Sequence, residues 1–467
     1  MTQETALAAS FRDPAGHLFE RDGQIYRQIN PEYLPQYRAL MESGLYAALT
    51  QESKLIPHIE RPDLAQDAAT LVIEPERVAY ISYPYEWCFS QLKDAALLTL
   101  EIQQRAMQHG LSLKDASAYN IVFHKGNATF IDTLSFETLD PVRPWVAYRQ
   151  FCQHFLAPLA LMAYADPRVR KLLLGFIDGI PLDLAASLLP LRSRWRYSLL
   201  AHIHLHARSQ TRNAAAPGTA QPREMSKDLL SALMQSLRNA IEKCALPASL
   251  TTEWGEYYDQ TNYSLDAMTH KEALVAQQLK EHTPHTGVVH DLGANTGRFS
   301  RIATQYAALV VSHDIDELAV ERNYRAHRSR GHAPSAGDTG ELLPLVLDLT
   351  NPTPAIGWHN EERDAFKDRC NADVLLALAL VHHLAISNNT PLAKIAASFA
   401  ALTKVLIIEF VPKGDSQVDR LLATREDIFD QYDQLHFEQA FTAHFDLLEQ
   451  HPVEGTQRVL YTFQKSE

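Results

Sequence analysis

From Gly287 onward, short apolar runs alternate with segments of helical periodicity, and this rhythm limits the folds that the chain can adopt. The runs are Val288 to His290, Leu309 to Ser312, Leu343 to Leu347, Val374 to Ala379 and Val405 to Glu409. Buried parallel strands have continuous apolar sequences, and the segments between them serve as crossover helices. The rhythm therefore predicts an α/β fold in which helices cover both faces of a doubly wound parallel sheet.

The C-terminal end of the chain departs from this rhythm. Phe445 to Glu449 and Gln457 to Phe463 are strand-like runs joined by the turn-rich segment HPVEGT. Two such runs around a short turn predict an antiparallel hairpin. We therefore expect a seven-stranded sheet that ends in an antiparallel pair.

A glycine-containing turn follows the first apolar run. The segment VVHDLGANTGRFS places Asp291 at the end of the strand, and Gly293, Asn295 and Gly297 in the turn before a helix. Glycine lets the backbone pass close to a ligand, and the free amides of a helix N-terminus attract a carboxylate. Such a pair of glycines is often only a turn, so it needs support from other residues.

Two further acids close the next two runs. Asp314 lies in VVSHDID and follows Gly293 by 21 positions (314 − 293), while Asp348 lies in LVLDLT. The interval is near the roughly 20 residues expected when the second strand lies beside the first. Asp314 is placed to accept both hydroxyls of a ribose, and Asp348 is placed to read an adenine amino group. Acids after three successive strands meet at the edge where doubly wound sheets bind ligands.

These residues resemble the motifs of class I S-adenosylmethionine-dependent methyltransferases, over about Thr251 to Phe463. Asp291 and the two glycines of the turn match the first motif of that family, Asp314 its ribose-binding acid and Asp348 its adenine-side acid. The terminal hairpin matches the antiparallel final strand of the family. The resemblance implies S-adenosyl-L-methionine as the cofactor and methyl transfer as the reaction.

A dinucleotide-binding dehydrogenase is the main alternative, since an acid after the second strand suits both classes. The turn GANTG has Asn295 where the second glycine of G-x-G-x-x-G would let a pyrophosphate approach. An acid at Asp291 would repel phosphates but suit the ammonium group of a methionine moiety. Both differences favour the methyltransferase.

Two histidines, His382 and His383, follow the end of the fourth run. In methyltransferases of this class that end faces the sulfonium methyl group, so one histidine is a candidate general base for an oxygen or nitrogen nucleophile. Alternatively, one caps the following helix and the other fills a polar gap. The Asn/Asp-Pro-Pro-aromatic signature of enzymes that methylate nucleobase amines is absent, which argues against that substrate.

Residues upstream of the glycine turn are candidates for a lid. Trp254 to Ser264 is rich in aromatic residues and precedes a helix that carries Lys271. Aromatic faces suit a sulfonium cation and a lysine can pair with the cofactor carboxylate, although aromatic packing of a lid explains the pattern equally well. Glu409, at the end of the fifth run, is a further pocket candidate. Gly357 to Arg369 carries both charges and is expected to form a solvated helix face, with a position at the border of the pocket as the alternative. The implied cofactor site comprises Lys271, Asp291, Gly293, Asn295, Gly297, Asp314 and Asp348.

The N-terminal half carries a different pattern. Asp115 and Asn120 have the spacing D-x-x-x-x-N, and Asp132 ends the second of two following strands. Kinases use this spacing to orient the acceptor hydroxyl and to hold magnesium. The pattern resembles the catalytic loop of aminoglycoside-kinase-like folds, over about Tyr83 to Arg208, and implies a metal site at Asn120 and Asp132 if such a site is active.

The departures from that pattern are serious. Leu113 or a neighbour replaces the usual histidine, DTLS stands where DFG is expected, and neither a glycine-rich loop nor a Val-Ala-x-Lys strand precedes Tyr83. Arg27 is the nearest basic strand residue. Three interpretations stay open: a kinase-like α+β scaffold or substrate-binding module, an unrelated α+β domain, and an active phosphotransferase.

The domain boundaries follow from a change in composition. Residues 209–226, SQTRNAAAPGTAQPREMS, are small, polar and proline-rich and are expected to be a linker. We therefore predict an N-terminal domain over 1–208, a helical cap over 227–282 and the cofactor-binding domain over 283–467. The apolar stripe within Asp228 to Ala245 predicts an amphipathic helix that caps the domain after it.

Charge and composition narrow the list of partners. The net charge is -13 and the apolar runs are far shorter than the ~20 residues of a membrane span, so neither nucleic acid nor a membrane is expected. The four cysteines are far apart, which argues against a zinc site or a disulfide framework and favours the cytoplasm. They are Cys88, Cys152, Cys244 and Cys370.

The combination of the two halves resembles nodulation-protein-type methyltransferases of bacteria. This resemblance indicates no substrate. Our first hypothesis is methyl transfer to a small-molecule or protein acceptor, with the N-terminal domain as an accessory module that selects the acceptor. Two alternatives stay open: a bifunctional protein with phosphotransferase activity in the N-terminal half, and a module that binds the cofactor without turnover.

Overall fold

The computed structural model describes residues 4–65, 70–207, 225–252, 263–329, 340–423 and 425–466. The chain divides into two compact units. The N-terminal unit comprises residues 1–250 and 355–363, and the C-terminal unit comprises residues 251–354 and 364–467. Residues 209–224 of the predicted linker and residues 254–262 of the predicted aromatic lid lie outside the described residues.

The N-terminal unit begins with an antiparallel sheet of five strands in the order β1-β2-β3-β5-β4. The strands are β1 (Glu4–Ala6), β2 (Gly16–Arg21), β3 (Gln24–Ile29), β4 (His58–Glu60) and β5 (Leu71–Pro75). Two helices, Leu34–Glu42 and Leu45–Gln51, lie between β3 and β4. Tyr37 packs with Ile29 and Ile73 in the core between the sheet and the first of these helices.

The rest of this unit is mainly helical. The long helix Phe89–Gln108 is followed by two strand pairs, β6 with β9 and β7 with β8. The strands are β6 (Leu111–Leu113), β7 (Ile121–His124), β8 (Asn127–Phe130) and β9 (Phe136–Thr138). Further helices are Tyr148–Phe151, Ala157–Tyr164, Leu172–Gly175, Leu182–Leu188, Tyr197–Leu199 and Lys227–Lys243. The unit is thus of the α+β class, and its kinase-like character stays a prediction.

Helix Lys227–Lys243 belongs to the N-terminal unit, which differs from the predicted cap on the domain that follows. The Lys93 ammonium donates to the carbonyl oxygens of Glu242 and Cys244, both at 2.8 Å. The apolar stripe of the helix is present, and its Leu237 is fully buried. Periodicity predicted this stripe but could not indicate which neighbour covers it.

Residues 355–363 also belong to the N-terminal unit, although they follow strands of the C-terminal unit in sequence. Glu362 is only 2% exposed and accepts two hydrogen bonds from the Arg12 guanidinium, at 2.8 and 2.7 Å. The Arg363 guanidinium lies 4.4 Å from the centroid of the Tyr119 ring. The predicted solvated helix face over 357–369 is therefore wrong at Glu362, where a carboxylate is buried because an arginine pairs with it.

The C-terminal unit contains the predicted seven-stranded sheet, in the order β12-β11-β10-β13-β14-β16-β15. Neighbouring strands from β12 to β14 are parallel, and β16 is antiparallel to both β14 and β15. The strands are β10 (Val288–Leu292), β11 (Leu309–Asp314), β12 (Glu341–Val346), β13 (Ala372–Ala377), β14 (Thr403–Phe410), β15 (Phe445–Pro452) and β16 (Val459–Lys465). The prediction of an α/β fold with a terminal antiparallel hairpin is confirmed.

Apolar side chains alternate between the two faces of this sheet. Val289 and Leu376 belong to one core cluster, whereas Leu292 and Leu375 belong to the other. The helices of this unit are Leu265–His282, Arg298–Ala303, Glu317–Ser329, Phe366–Arg369, Leu392–Ala400, Ser416–Leu422 and Gln434–Thr442. Because both faces are covered, the carboxyl ends of the parallel strands form the edge that is left for a ligand. Throughout the described chain, each helix is too short or too polar to cross a membrane.

Candidate functional site

A cavity of about 320 Å³ lies at the carboxyl ends of the parallel strands. Strand β10 lies between β11 and β13, so successive crossovers leave it in opposite directions, which is the point where doubly wound sheets bind ligands. Most of the predicted site residues line this cavity. They are Lys271, Asp291, Gly293, Asn295, Asp314, Asp348 and His383.

Asp291 is the acid at the end of β10. Its side chain is 2% exposed, and it accepts a hydrogen bond of 2.6 Å from the Ser300 hydroxyl. Burial raises the pKa of Asp291 to about 6, although Ser300 and the charge of Lys271 oppose that shift. A carboxylate in this position is stabilised by a cation, and the cavity beside it is where a ligand ammonium group would supply one.

The turn after β10 uses backbone conformations that side chains disfavour. Gly293 and Gly297 have φ of 74° and 76°, and Asn295 has φ of 50°. The Gly293 amide donates to the His313 carbonyl at 2.9 Å, which holds the turn against the end of β11. Gly293 lines the cavity, whereas Gly297 is the N-cap of helix Arg298–Ala303 and does not reach the cavity.

The reason for glycine at 297 is close packing. A Cβ atom built there would lie 2.2 Å from the Asn323 Oδ1 atom. The Asn323 side chain is itself held, because its amide donates to the Ser312 hydroxyl at 3.0 Å. A side chain at 297 would therefore move the helix away from its neighbour and displace the turn that borders the cavity.

We expect Gly297→Ala to destabilise the C-terminal unit by roughly 1–3 kcal/mol, since it adds left-handed strain to a steric clash. Gly455→Ala is the matched control, because Gly455 has φ of 74° but its added Cβ would meet Ala267 at an ordinary 3.6 Å. Thermal unfolding of both variants measures the difference. Equal losses in the two variants would show that the contact with Asn323 imposes no cost.

Asp314 ends β11 and connects the strand end to the glycine-containing turn. Its Oδ2 accepts the Asn295 amide at 2.7 Å, and its Oδ1 accepts the Asp316 amide at 2.8 Å. Burial raises the pKa of Asp314 to about 6, against the effect of these two hydrogen bonds. Each carboxylate oxygen has two lone pairs, so the group can accept further hydrogen bonds from a diol in the cavity.

Asp348 follows β12 and is less buried than the other two acids. Its Oδ1 accepts the Thr350 amide at 3.0 Å and the Thr350 hydroxyl at 2.6 Å, which fixes the carboxylate on the loop. Leu347, Leu349 and Ile315 line the cavity around it. An apolar wall with one carboxylate suits a flat ring that carries an amino group.

Lys271 belongs to a buried polar network that borders the cavity. Its ammonium group donates to Glu409 at 2.6 Å and to the Tyr263 hydroxyl at 3.1 Å. The Tyr263 hydroxyl donates to Glu409 and accepts from Arg458 at 2.8 Å, and Arg458 forms two hydrogen bonds with Asp415. Glu409 is fully buried and Arg458 is 1% exposed. An ammonium group has three donors, so Lys271 retains one for a ligand.

Charge pairing controls the ionisation of this network. Burial by itself would raise the pKa of Glu409, but the charges of Lys271 and Arg458 outweigh burial and hold that pKa below its ordinary value. Burial lowers the pKa of Lys271, and Glu409 opposes that shift. Sequence reasoning named Lys271 and Glu409 separately and missed Arg458 and Asp415, which no local motif marks.

The two predicted histidines occupy different environments. His383 lines the cavity, whereas His382 is fully buried behind it, with the ring centroids 4.2 Å apart. Neither ring nitrogen of His382 has a hydrogen-bond partner among the described residues, so the predicted cap or polar contact is not made at His382. Burial lowers the pKa of His383 to about 4, and the Arg458 charge adds to the effect. His383 is therefore a neutral imidazole at neutral pH.

The N-terminal unit brings the kinase-like residues together. Asn120 donates to the Ser135 hydroxyl at 3.2 Å, and Ser135 donates to Asp132 at 2.5 Å. The carboxylate of Asp115 lies near enough to Asp132 that their charges repel and help burial to raise the pKa of Asp115. However, Asp132 is already paired with Arg27, whose guanidinium donates to it at 2.5 Å.

We expect ATP with Mg²⁺ at millimolar concentration to leave the melting temperature unchanged. Magnesium would need the carboxylate of Asp132, which already forms an ion pair with Arg27. A second nitrogen of the same guanidinium donates to Asp13 at 2.8 Å. Differential scanning fluorimetry of the full chain measures the shift. A rise with ATP and Mg²⁺ that Asp132→Asn abolishes would contradict the prediction and support phosphotransfer.

No known family profile matches the chain. Several solved methyltransferases resemble part of it. The N-methyltransferase NodS from Bradyrhizobium japonicum WM9 is 9% identical, with a TM-score of 0.31, over 44% of this chain and 99% of its own. The magnesium protoporphyrin IX methyltransferase ChlM from Synechocystis PCC 6803 is 16% identical, with a TM-score of 0.32, over 46% of this chain and 92% of its own.

The relation to one curated protein is much closer and extends over both units. The nodulation protein NoeA from Rhizobium meliloti (strain 1021) is 33% identical over 99% of this chain and 96% of its own length. A match of that extent includes the sheet, the cavity and the N-terminal unit alike. The chain therefore belongs to the family of the nodulation protein NoeA.

Proposed function

We propose that the protein transfers a methyl group from S-adenosyl-L-methionine to a small-molecule or protein acceptor. The observation that carries the proposal is the set of three carboxylates, Asp291, Asp314 and Asp348, which follow three neighbouring strands and line one cavity. Their order matches the three polar parts of the cofactor. Asp291 would pair with the ammonium group, Asp314 with the ribose hydroxyls and Asp348 with the adenine amino group.

This arrangement favours S-adenosylmethionine over a nicotinamide dinucleotide. A pyrophosphate brings two negative charges to the turn, where Asp291 is buried and Asn295 stands in place of the second glycine. A methionine moiety brings an ammonium group and a sulfonium instead. Tyr263 and Phe299 line the same cavity, and the Lys271 ammonium lies 4.9 Å from both ring centroids, so this wall accommodates a cation.

Methyl transfer is an in-line displacement at carbon. A lone pair of the acceptor forms a bond to the methyl carbon while the carbon–sulfur bond breaks, and the pair of that bond stays on sulfur as S-adenosylhomocysteine leaves. Because the sulfonium is strongly activated, positioning supplies most of the rate enhancement. A base is needed only for an acceptor that stays protonated near neutral pH.

His383 is the residue that we assign to the acceptor. It lines the cavity near the end of β13, and because of its lowered pKa the ring is neutral at neutral pH, with one of its two nitrogens protonated. A neutral imidazole accepts a hydrogen bond from the acceptor N–H or O–H and takes the proton that methylation releases. His382 packs against it and acts as a positioning residue.

There are two alternatives to methyl transfer. In the first, the protein binds the cofactor in the same cavity without turnover; in the second, the N-terminal unit transfers a phosphoryl group. The second alternative is weakened by the pairing of Arg27 with Asp132. Calorimetric titrations of the full chain with S-adenosylhomocysteine, with NAD⁺ and with ATP and Mg²⁺ separate these possibilities. Methyl transfer predicts binding of the first ligand alone, together with turnover in the presence of an acceptor.

We expect Asp314→Asn to weaken binding of S-adenosylhomocysteine by roughly 10- to 100-fold, because the amide loses charge-assisted hydrogen bonds with the ribose. Asp373→Asn is the matched control. Asp373 begins β13 at the opposite edge of the sheet and pairs with Lys404 at 2.7 Å. An unchanged dissociation constant for Asp314→Asn, in a variant with native circular dichroism, would remove Asp314 from the cofactor site.

A further inference from the structure

The segment LRSRWRY, residues 191–197, presents large apolar side chains to solvent. Trp195 is 90% exposed, Tyr197 79% and Leu191 72%. A single exposed leucine is ordinary on a protein surface, but here three large apolar side chains are exposed within seven residues. Exposed apolar side chains that cluster in this way mark interaction sites. We call residues 191–197 the Arg-Trp segment.

The same segment concentrates positive charge. Arg192, Arg194 and Arg196 are exposed, and within the described ranges of the chain none of the three forms an ion pair with a carboxylate. The Arg196 guanidinium lies 4.7 Å from the centroid of the Tyr164 ring. On a chain with a net charge of -13, this segment contains three arginines and no carboxylate.

The backbone of the segment is held in place. Leu191–Trp195 forms a short 3-10 helix, and the Ser193 hydroxyl in its middle is buried against His204 at 2.8 Å. Helix Tyr197–Leu199 follows, with Leu199 buried. The exposed side chains therefore project from an anchored scaffold.

A groove adjoins the Arg-Trp segment. It has a volume of about 620 Å³ and lies between residues 195–199 and helix Lys227–Lys243. Asn239 and Lys243 line it, so it offers an amide and a fourth cation. The groove thus has room and donors for a polar, negatively charged group beside the exposed aromatic rings.

We propose that the Arg-Trp segment and the adjoining groove bind the surface of an anionic membrane. Trp195, Tyr197 and Leu191 would enter the boundary between headgroups and acyl chains, where amphipathic aromatic rings are favoured. The arginines would bind lipid phosphates, which a planar guanidinium matches with paired hydrogen bonds. The sequence predicted no membrane partner because no span is present, but attachment at the surface needs none.

The composition of the segment favours lipid over nucleic acid. A single-stranded nucleic acid also binds arginines and aromatic rings, but it gains little from an exposed leucine. A membrane accommodates both halves of the pattern, since it combines an apolar layer with a charged surface.

Flotation of the full chain with lipid vesicles tests the proposal. We expect recruitment by equimolar phosphatidylglycerol and phosphatidylcholine vesicles, weak recruitment by pure phosphatidylcholine, and release at high salt. Trp195→Ser should reduce the bound fraction. The combined Arg192→Gln, Arg194→Gln and Arg196→Gln variant should also reduce it, because the partition coefficient onto the vesicles falls by roughly fivefold per lost arginine. Trp358→Ser is the matched control, because Trp358 is 73% exposed in the same unit.

Three outcomes would overturn the proposal. The first is no recruitment of the native chain by anionic vesicles. The second is equal recruitment of the Trp195→Ser, arginine and Trp358→Ser variants. The third is salt-dependent binding of a single-stranded oligonucleotide, lost in the arginine variant, without any binding of vesicles. Titration with S-adenosylhomocysteine in parallel shows whether the variants retain the separate cofactor site, so that failure here is distinct from failure of the proposed methyl transfer.

Discussion

Replacing Glu409 with Gln is expected to lower the free energy of unfolding of the C-terminal unit by about 3–5 kcal/mol, the cost of removing one partner from a buried ion pair. Glu409 is fully buried and is the carboxylate that Lys271 contacts at 2.6 Å, while Arg458 lies 4.0 Å away. Without it, Lys271 becomes a buried cation that must lose its proton or draw in water. Native-state hydrogen exchange of peptides from β10 to β14 in the full chain measures the loss.

Two further variants make the result specific. The double variant Lys271→Met with Glu409→Gln removes both charges and should recover much of the loss, since replacement of a whole buried pair is often nearly neutral. Lys413→Met is the matched control, because Lys413 and Asp427 form a pair at 2.8 Å that is exposed to solvent, and such pairs contribute little to stability. If Glu409→Gln lowers the free energy of unfolding no more than Lys413→Met does, the buried network contributes no more to stability than an exposed pair.

The same network illustrates what the sequence could not predict. Glu409 ends a strand and Lys271 follows an aromatic stretch, so each was visible as a candidate on its own. Arg458 lies just before β16, and its distance from Glu409 depends on the antiparallel register in which Glu409 pairs with Leu460. That register is set by tertiary packing, and no spacing rule for residues 49 positions apart (458 − 409) encodes it.

The sheet and its acids were predictable for a physical reason. Continuous apolar runs indicate buried strands. Because parallel strands all end at the same edge of the sheet, an acid at the end of each run lies at that edge. Asp291, Asp314 and Asp348 could therefore be grouped without knowledge of any contact. The two segments that belong to the N-terminal unit, 227–250 and 355–363, could not be assigned, because an amphipathic or charged stretch does not identify its partner.

Acidification is expected to destabilise the C-terminal unit by about 3 kcal/mol between pH 7 and pH 5.5. Burial lowers the pKa of His290 to about 3 and that of His383 to about 4, and holds those of His313 and His382 well below the ordinary value of 6.5. These histidines stay neutral in the folded unit but take up protons in the unfolded chain. Stability from them is complete above pH 6.5 and is lost as the pH falls below it.

The two buried acids act in the opposite direction. The pKa values of Asp291 and Asp314 are raised to about 6 by burial, so on acidification the folded unit binds protons before the unfolded chain does, and stability rises. Over this interval each histidine costs slightly more than about 1 kcal/mol, and each acid returns slightly less than about 1 kcal/mol. Four histidines outweigh two acids, which leaves the net loss of about 3 kcal/mol.

The pair His290 and His313 provides the test of this account. Their rings hydrogen-bond through Nδ1 and Nε2 at 3.0 Å, and both are 1% exposed on neighbouring strands. Replacement of both by Gln should remove roughly 2 kcal/mol of the pH dependence, whatever it does to stability at pH 7. His285→Gln, at an exposed position of the same unit, should leave it unchanged. Hydrogen exchange of β10 and β11 peptides, corrected for intrinsic rates at each pH, would refute the account if the opening free energy of the native unit did not change between pH 7 and pH 5.5. In that case the folded unit would have to accept protons on rings that the structure buries.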